Sequence, residues 1–143
     1  MANLYTDDIV AWADQQAALL RSERWSLLDI EHLAEEIDDV GKTEKHRLAH
    51  RLAVLWCHLL TWQFQPTRRG SSWRLTIHEQ RRALRREVAA APSLKALLHN
   101  DVWLDTAWSD AIVLAVAETG LAVLPAARLW AIMQTLDDQF WPD

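Results

Sequence analysis

Residues 48–66 read LAHRLAVLWCHLLTWQFQP, and their apolar side chains recur at intervals of three and four. That period is typical of one face of an α-helix. The positions that carry it are Leu48, Leu52, Leu55, Leu59 and Trp62. Because Pro66 disfavours helical backbone in the residue before it, the sequence predicts that this helix ends at about Gln65.

The same apolar phase extends backwards from Leu48 to Ile30, and Asp29 is a suitable N-cap for a helix that begins there. A straight helix over residues 30–65 is roughly 54 Å long at 1.5 Å per residue. A compact chain of this size has a radius of gyration of about 14 to 15 Å. The sequence therefore predicts a long helix that bends near Gly41.

Four further helices are predicted from caps and apolar spacing. Their expected ranges are 9–22 after an Asp7 cap, 72–90 after the loop 66–70, 93–119 closed by Gly120, and 125–136 beginning at Pro125. No segment shows the sustained alternation of a β-strand. The fold class predicted is all-α, with residues 1–143 forming a single domain, an irregular bundle of about five helices in which the second is long and bent near Gly41. Most of the nine tryptophans are expected to pack in its core.

The amino-acid composition indicates the cellular compartment of such a protein. Cys57 is the one cysteine, so no disulfide forms within the chain, and its apolar neighbours indicate a buried thiol. The first residues lack the basic and apolar regions of a signal peptide. The most apolar window, residues 52–62, is shorter than the roughly 20 residues that span a bilayer. We therefore expect a cytoplasmic protein with no membrane span.

Charge is strongly segregated along the chain. Residues 1–44 contain eleven acidic side chains and three basic ones, whereas residues 68–86 contain seven arginines and only Glu79 as an acid. One interpretation pairs the arginines with the acids of residues 29–39, within the chain or between copies. The alternative is a phosphate-binding face for nucleic acid on the Arg-rich helix 72–90.

The histidines are candidates for metal binding or for acid–base catalysis. His46 and His50 are one helical turn apart, and His32 stands near Glu35 and Glu36, yet the spacings of known metal-binding helices are missing. His58 lies in an apolar run, where an imidazole needs a hydrogen-bond partner, and Glu35 is a candidate to orient it. We predict no metal, no cofactor and no identifiable catalytic residue.

The order of several short motifs resembles one known family, the bacterial proteins called domain of unknown function 29 (DUF29). The motifs extend over nearly the whole chain; they include residues 11–12, 16–21, 33–37, 58–62, 65–66, 72–73, 76–77, 80–81, 118–121 and 136–142. The resemblance implies an all-α fold and a bacterial origin, and it supplies no activity. It directs attention to a candidate binding surface of polar and aromatic residues: Glu35, Glu36, His58, Trp62, Gln65, Arg69, Trp73 and Gln80.

The sequence alone leaves the function unknown. The leading hypothesis is a small bacterial interaction or regulatory module without catalytic activity, which associates with itself or with another bacterial protein. Two alternatives stay open: a nucleic-acid-binding protein that uses helix 72–90, and a metal-binding protein or enzyme centred on Glu35, Glu36 and His58.

Overall fold

A computed structural model describes residues 3–143 of the chain, and these residues divide into an N-terminal unit that ends at Glu44 and a C-terminal unit that begins at Lys45. The described residues form six α-helices: α1 (Leu4–Asp7), α2 (Ile9–Arg21), α3 (Ile30–Phe64), α4 (Ser71–Ala90), α5 (Asp101–Thr119) and α6 (Ile132–Thr135). Short 3-10 helices cover Trp25–Leu27, Pro66–Arg68 and Pro92–His99. Residues 3–143 contain no strand, so the predicted all-α class is confirmed.

In the N-terminal unit, short polar side chains begin the helices. The Asn3 side chain accepts a hydrogen bond from the backbone of Tyr5, and Asp8, rather than the predicted Asp7, caps α2 by accepting from Ala11. Such caps satisfy backbone N–H groups that have no partner within a helix. A separate helix α1 before residue 9 was not predicted from the sequence.

Helix α3 spans 35 residues and begins after Asp29, as predicted. The Asp29 carboxylate accepts a hydrogen bond from the backbone of His32, and the helix ends at Phe64, one residue before the predicted end. The backbone at Gly41 is helical, and a Cβ built there meets no atom within 4 Å. Helix α3 is therefore continuous through Gly41, and the bend there stays a prediction.

The C-terminal unit contains an apolar core built by α3, α4 and α5. Leu48, Leu52, Leu55 and Leu59 are fully buried on α3, and Ile77 on α4 packs into the same cluster. Tryptophans then extend the core: the rings of Trp56 and Trp108 lie 5.2 Å apart, and those of Trp108 and Trp130 lie 5.6 Å apart, both edge to face. Edge-to-face pairs bring the positive rim of one ring to the negative face of the next.

The long helix predicted over residues 93–119 is divided in two. Residues Pro92–His99 form a 3-10 helix, and α5 starts after Asn100, whose side chain accepts a hydrogen bond from the backbone of Trp103. An amide that caps a new helix competes with continuation of the old one, which explains the break. Gly120 closes α5 with a φ of 70°, the left-handed conformation predicted for it.

The helix predicted over residues 125–136 is wrong. Only Ile132–Thr135 are α-helical, and the preceding segment is held by side chains. Trp108 donates to the Pro125 carbonyl, and Arg128 pairs with both Asp101 and Asp105 on α5. These contacts with α5 hold Pro125 and Arg128 in place without helical hydrogen bonds.

Candidate functional site

The eight residues of the predicted surface fall in both units. Glu35 and Glu36 belong to the N-terminal unit, and the other six belong to the C-terminal unit. Within the C-terminal unit, Trp62 and Arg69 are in direct contact, and Gln65 lies in the same connection between α3 and α4. The remaining three are His58, Trp73 and Gln80.

Trp62 is the centre of an arginine–tryptophan cluster, which we define as Trp62, Arg69, Arg74, Arg81 and Trp141. The guanidinium groups of Arg69 and Arg74 lie 5.1 and 4.8 Å from the Trp62 ring, and that ring is 4.7 Å from Trp141. Arg69 Nε also donates to the Trp62 carbonyl oxygen at 2.7 Å, while its Nη2 is buried without a hydrogen-bond partner among residues 3–143. Cation–π attraction to the indole faces replaces the carboxylates that these arginines lack.

Arg81 is the most buried member of this cluster, with 1% of its surface exposed. It donates to the carbonyl oxygens of Thr135 and Phe140, at 2.8 and 2.7 Å, and its guanidinium lies 5.5 Å from the Trp141 ring. Burial lowers the pKa of Arg81, an effect that Asp138 opposes. The side chain acts as a clamp that holds the C-terminal segment against α4.

The neighbouring Arg85 repeats this arrangement near the surface. It donates to the Leu136 carbonyl at 2.7 Å and to both oxygens of Asp138. Within the chain, Arg81 and Arg85 therefore take their partners from residues 135–140 rather than from the acids of residues 29–39, and pairing between copies stays a prediction. Arg82 pairs with Glu79 one helical turn away, over 3.8 Å.

His58 has a local partner. Its Nδ1 lies 2.8 Å from the Val54 carbonyl oxygen on the same helix, so Nδ1–H donates to that oxygen. The half-buried position and the hydrogen bond fit the predicted need of an imidazole in an apolar run. Glu35 was a candidate to orient this ring, whereas the observed hydrogen bond of Nδ1 goes to Val54.

The other predicted residues support contacts between helices. Gln65 accepts a hydrogen bond from Arg68, and Gln80 on α4 accepts one from Arg51 on α3 at 3.5 Å. Arg51 also donates to Glu87 at 2.8 Å. Trp73 is half-buried and packs against the core. Arg51 thus joins α3 to α4 through Gln80 and Glu87.

A second polar cluster, which the sequence analysis did not identify, lies in the N-terminal unit. Its members are Tyr5, Trp12, Asp29, His32 and Glu36. Tyr5 donates to Glu36 at 2.6 Å, and its ring stacks on His32 with centroids 3.9 Å apart. The hydrogen bond to Glu36 is the main cause that raises the pKa of Tyr5 to about 12.

Asp29 organises this Tyr5–His32 cluster. Its Oδ2 accepts from His32 Nδ1 at 2.7 Å and from Trp12 Nε1 at 3.0 Å, while its backbone N–H donates to the buried Gln16 at 2.8 Å. The hydrogen bond from His32, followed by that from Trp12, lowers the pKa of Asp29. The same bond to Asp29 raises the pKa of His32, so the pair favours a charged imidazole beside a charged carboxylate.

Cys57 is buried, as predicted. Burial, with a smaller effect from Glu118, raises the pKa of its thiol to about 12. Since the thiolate is the reactive form of cysteine, this side chain is inert at neutral pH. In the part of the chain that the structure describes, no three His, Cys, Asp or Glu side chains are placed to hold a metal ion, and no helix is both long and apolar enough to cross a membrane.

The helices and these clusters define a small all-α protein whose arginines are largely engaged in internal contacts. Its sequence matches the family model described as domain of unknown function DUF29 over residues 4–141, so the chain belongs to that family. The resemblance found in the sequence motifs is thereby confirmed. Neither a curated protein nor a solved structure matches the chain.

Proposed function

We propose that this protein is an interaction module whose N-terminal unit binds a basic, amphipathic helix of a partner protein. The observation that carries the proposal is an apolar stripe on α3 that is open to solvent. Ile30, Ile37 and Val40 are 68%, 71% and 67% exposed. They are seven and three residues apart, which places them on one face of the helix.

The surroundings of this stripe argue for a basic partner. Glu31, Glu35, Asp38 and Asp39 are all exposed on the same stretch of α3. Carboxylates beside an aliphatic face attract lysine or arginine at the borders of a partner helix, whose own apolar side chains cover the stripe. A second copy of the same stripe would bring acids against acids, a pairing that costs free energy.

The test uses two synthetic amphipathic helices with identical leucine positions, one bordered by lysine and the other by glutamate. We expect the lysine peptide to bind, and its affinity to fall as salt is added, because exposed charges are screened. The double variant Ile37→Ser, Val40→Ser should weaken binding at least about tenfold, since burying one aliphatic side chain contributes about 1.5 to 3 kcal/mol and 1.4 kcal/mol is tenfold. Val123→Ser is the matched control, because Val123 is 85% exposed in the other unit.

Three results would contradict the proposal. Equal binding of both peptides would contradict the electrostatic argument. An unchanged affinity of the double serine variant would show that the stripe is not the binding site. Light scattering that shows a dimer of the wild-type chain and a monomer of the serine variant would assign the stripe to self-association instead.

The two alternatives have less support. For nucleic acid, Arg69, Arg74, Arg81 and Arg85 are engaged with tryptophans or with the C-terminal segment. The remaining arginines of residues 68–86 are exposed, and of these Arg68 donates to Gln65 and Arg82 pairs with Glu79. A centre formed by Glu35, Glu36 and His58 draws no support from the hydrogen bonds found, because Glu36 accepts from Tyr5 and His58 donates to Val54.

A further inference from the structure

A cleft of about 690 Å³ opens between the second half of α3 and α5, entirely within the C-terminal unit. From α3, His46, His50, Ala49 and Ala53 line it, and Trp103 is among the residues that α5 contributes. Pockets for small molecules commonly measure about 300 to 1,000 Å³ and combine apolar walls with a few polar groups. The cleft fits this description, and its residues lie outside both the stripe and the arginine–tryptophan cluster.

Small side chains create the open space. On α3, leucines 48, 52 and 55 fill the core, while the face that looks onto the cleft carries alanine at positions 49 and 53. The side chain of alanine ends at Cβ. The space between α3 and α5 is therefore filled by side chains in the core but stays open along this edge. Val113 and Leu114 continue the apolar wall on α5.

The charge of the cleft comes from a single carboxylate. Helix α5 carries three aspartates, and Arg128 pairs with two of them, Asp101 at 3.0 Å and Asp105 at 2.8 Å. The third, Asp110, lines the cleft, and no side chain within residues 3–143 forms a hydrogen bond or ion pair with it. Of the three aspartates on α5, Asp110 in the cleft is thus the one that has no ion pair with Arg128.

We propose that this cleft binds a small molecule made of an apolar body and a protonated amine. Asp110 accepts the ammonium group, the face of Trp103 adds cation–π attraction, and the imidazoles of His46 and His50 have nitrogen lone pairs that accept hydrogen bonds from it. The apolar body lies against Ala49 and Ala53. A metal ion is not the cation we infer, because no three ligating side chains of the described chain come together.

The experiment compares 4-phenylbutylamine with 4-phenylbutyrate, two probes that share an apolar body and differ in the sign of their charge. Binding is followed by calorimetry and by the NMR signal of the Trp103 indole N–H in the full chain. We expect the amine to bind and to shift the Trp103 signal, and the carboxylate to bind at least about tenfold more weakly.

Variants locate the site. Asp110→Asn should weaken amine binding at least about tenfold while preserving the shape of the side chain. Ala49→Leu should abolish binding by filling the cleft. Asp105→Asn, which removes the same charge from the same helix outside the cleft, should leave the affinity unchanged within about twofold.

The inference is overturned if the carboxylate binds as tightly as the amine, if neither probe binds, or if Asp110→Asn behaves as the wild type. Equal losses in Asp110→Asn and Asp105→Asn would also overturn it, since they would reflect net charge alone. Because the amphipathic peptides test residues of the other unit, failure of the amine and failure of the peptides are distinguishable.

Discussion

The two units are stabilised in different ways. In the N-terminal unit, Trp12 and Gln16 are the buried side chains of residues 3–44. Hydrogen bonds of Asp29 join α2 to the start of α3, and the bond from Tyr5 to Glu36 joins α1 to α3. The C-terminal unit instead buries a leucine and tryptophan core and adds buried hydrogen bonds to its last segment. Apolar burial is insensitive to pH, whereas hydrogen-bonded charges are not, so different perturbations should affect each unit.

The largest expected effect is loss of the Arg81 clamp. Arg81→Met leaves the carbonyl groups of Thr135 and Phe140 without their donor, and it should lower the free energy of unfolding by about 3 to 5 kcal/mol, measured by urea denaturation. Arg86→Met, an exposed change on the same helix, should stay within about 0.5 kcal/mol of the wild type. Equal stability of the two variants would show that the clamp does not stabilise the C-terminal unit.

A smaller loss is expected at the hydroxyl of Thr135. This side chain is fully buried, accepts from Trp56 Nε1 at 2.9 Å and donates to the Ala131 carbonyl at 3.0 Å. Thr135→Val keeps the volume but leaves these groups unpaired, which should cost about 1 to 3 kcal/mol in the same denaturation experiment. Thr135→Ser keeps the hydroxyl and should preserve the Trp56 indole N–H signal in NMR spectra; loss of that signal would contradict the assigned hydrogen bond.

The third effect is confined to the N-terminal unit and depends on pH. Asp29 has a lowered pKa, so its contribution to stability is present above the ordinary aspartate value of about 3.9 and is lost as the pH falls through the lower folded value. His32 has a raised pKa, so its contribution is complete below about 6.5 and is lost as the pH rises through the higher folded value. Stability of this unit should therefore be greatest between roughly pH 4 and 6.5.

Hydrogen-exchange protection factors for residues 9–36 measure this dependence, with those for residues 48–62 as the internal comparison. His32→Gln should remove the decline on the alkaline side of the maximum. A decline of the same size in the variant would assign the pH dependence to another group.

The sequence predicted those parts of the fold that depend on neighbouring residues. Asp29 as a cap, the end of α3 before Pro66 and the left-handed Gly120 all follow from local backbone chemistry, and all are found in the structure. The break before α5 comes from the Asn100 cap, which the apolar spacing across it does not reveal, and the irregular segment before α6 depends on distant partners on α5 such as Trp108 and Asp105. The apolar residues of both regions are spaced as in a helix, so periodicity alone predicted continuous helices there.

The candidate site was less predictable because its contacts also join residues that are far apart in the sequence. Trp62 and Arg69 are close in sequence and were selected together, but Trp141 reaches them from the other end of the chain. Arg81 looked like one surface arginine among seven, because nothing in its local sequence signals burial. Tyr5 and Glu36 are 31 residues apart, and their hydrogen bond arises only when α1 meets α3.

The contacts among Trp56, Trp108 and Trp130 also affect how the protein absorbs light. Indoles held 5.2 and 5.6 Å apart in fixed edge-to-face orientations couple their electronic transitions. Such coupling gives circular dichroism bands in the near ultraviolet whose intensity requires the exact ring arrangement. The C-terminal unit therefore carries an intrinsic optical reporter of its packing, while Trp12, beside Tyr5 and His32, is a separate chromophore in the N-terminal unit.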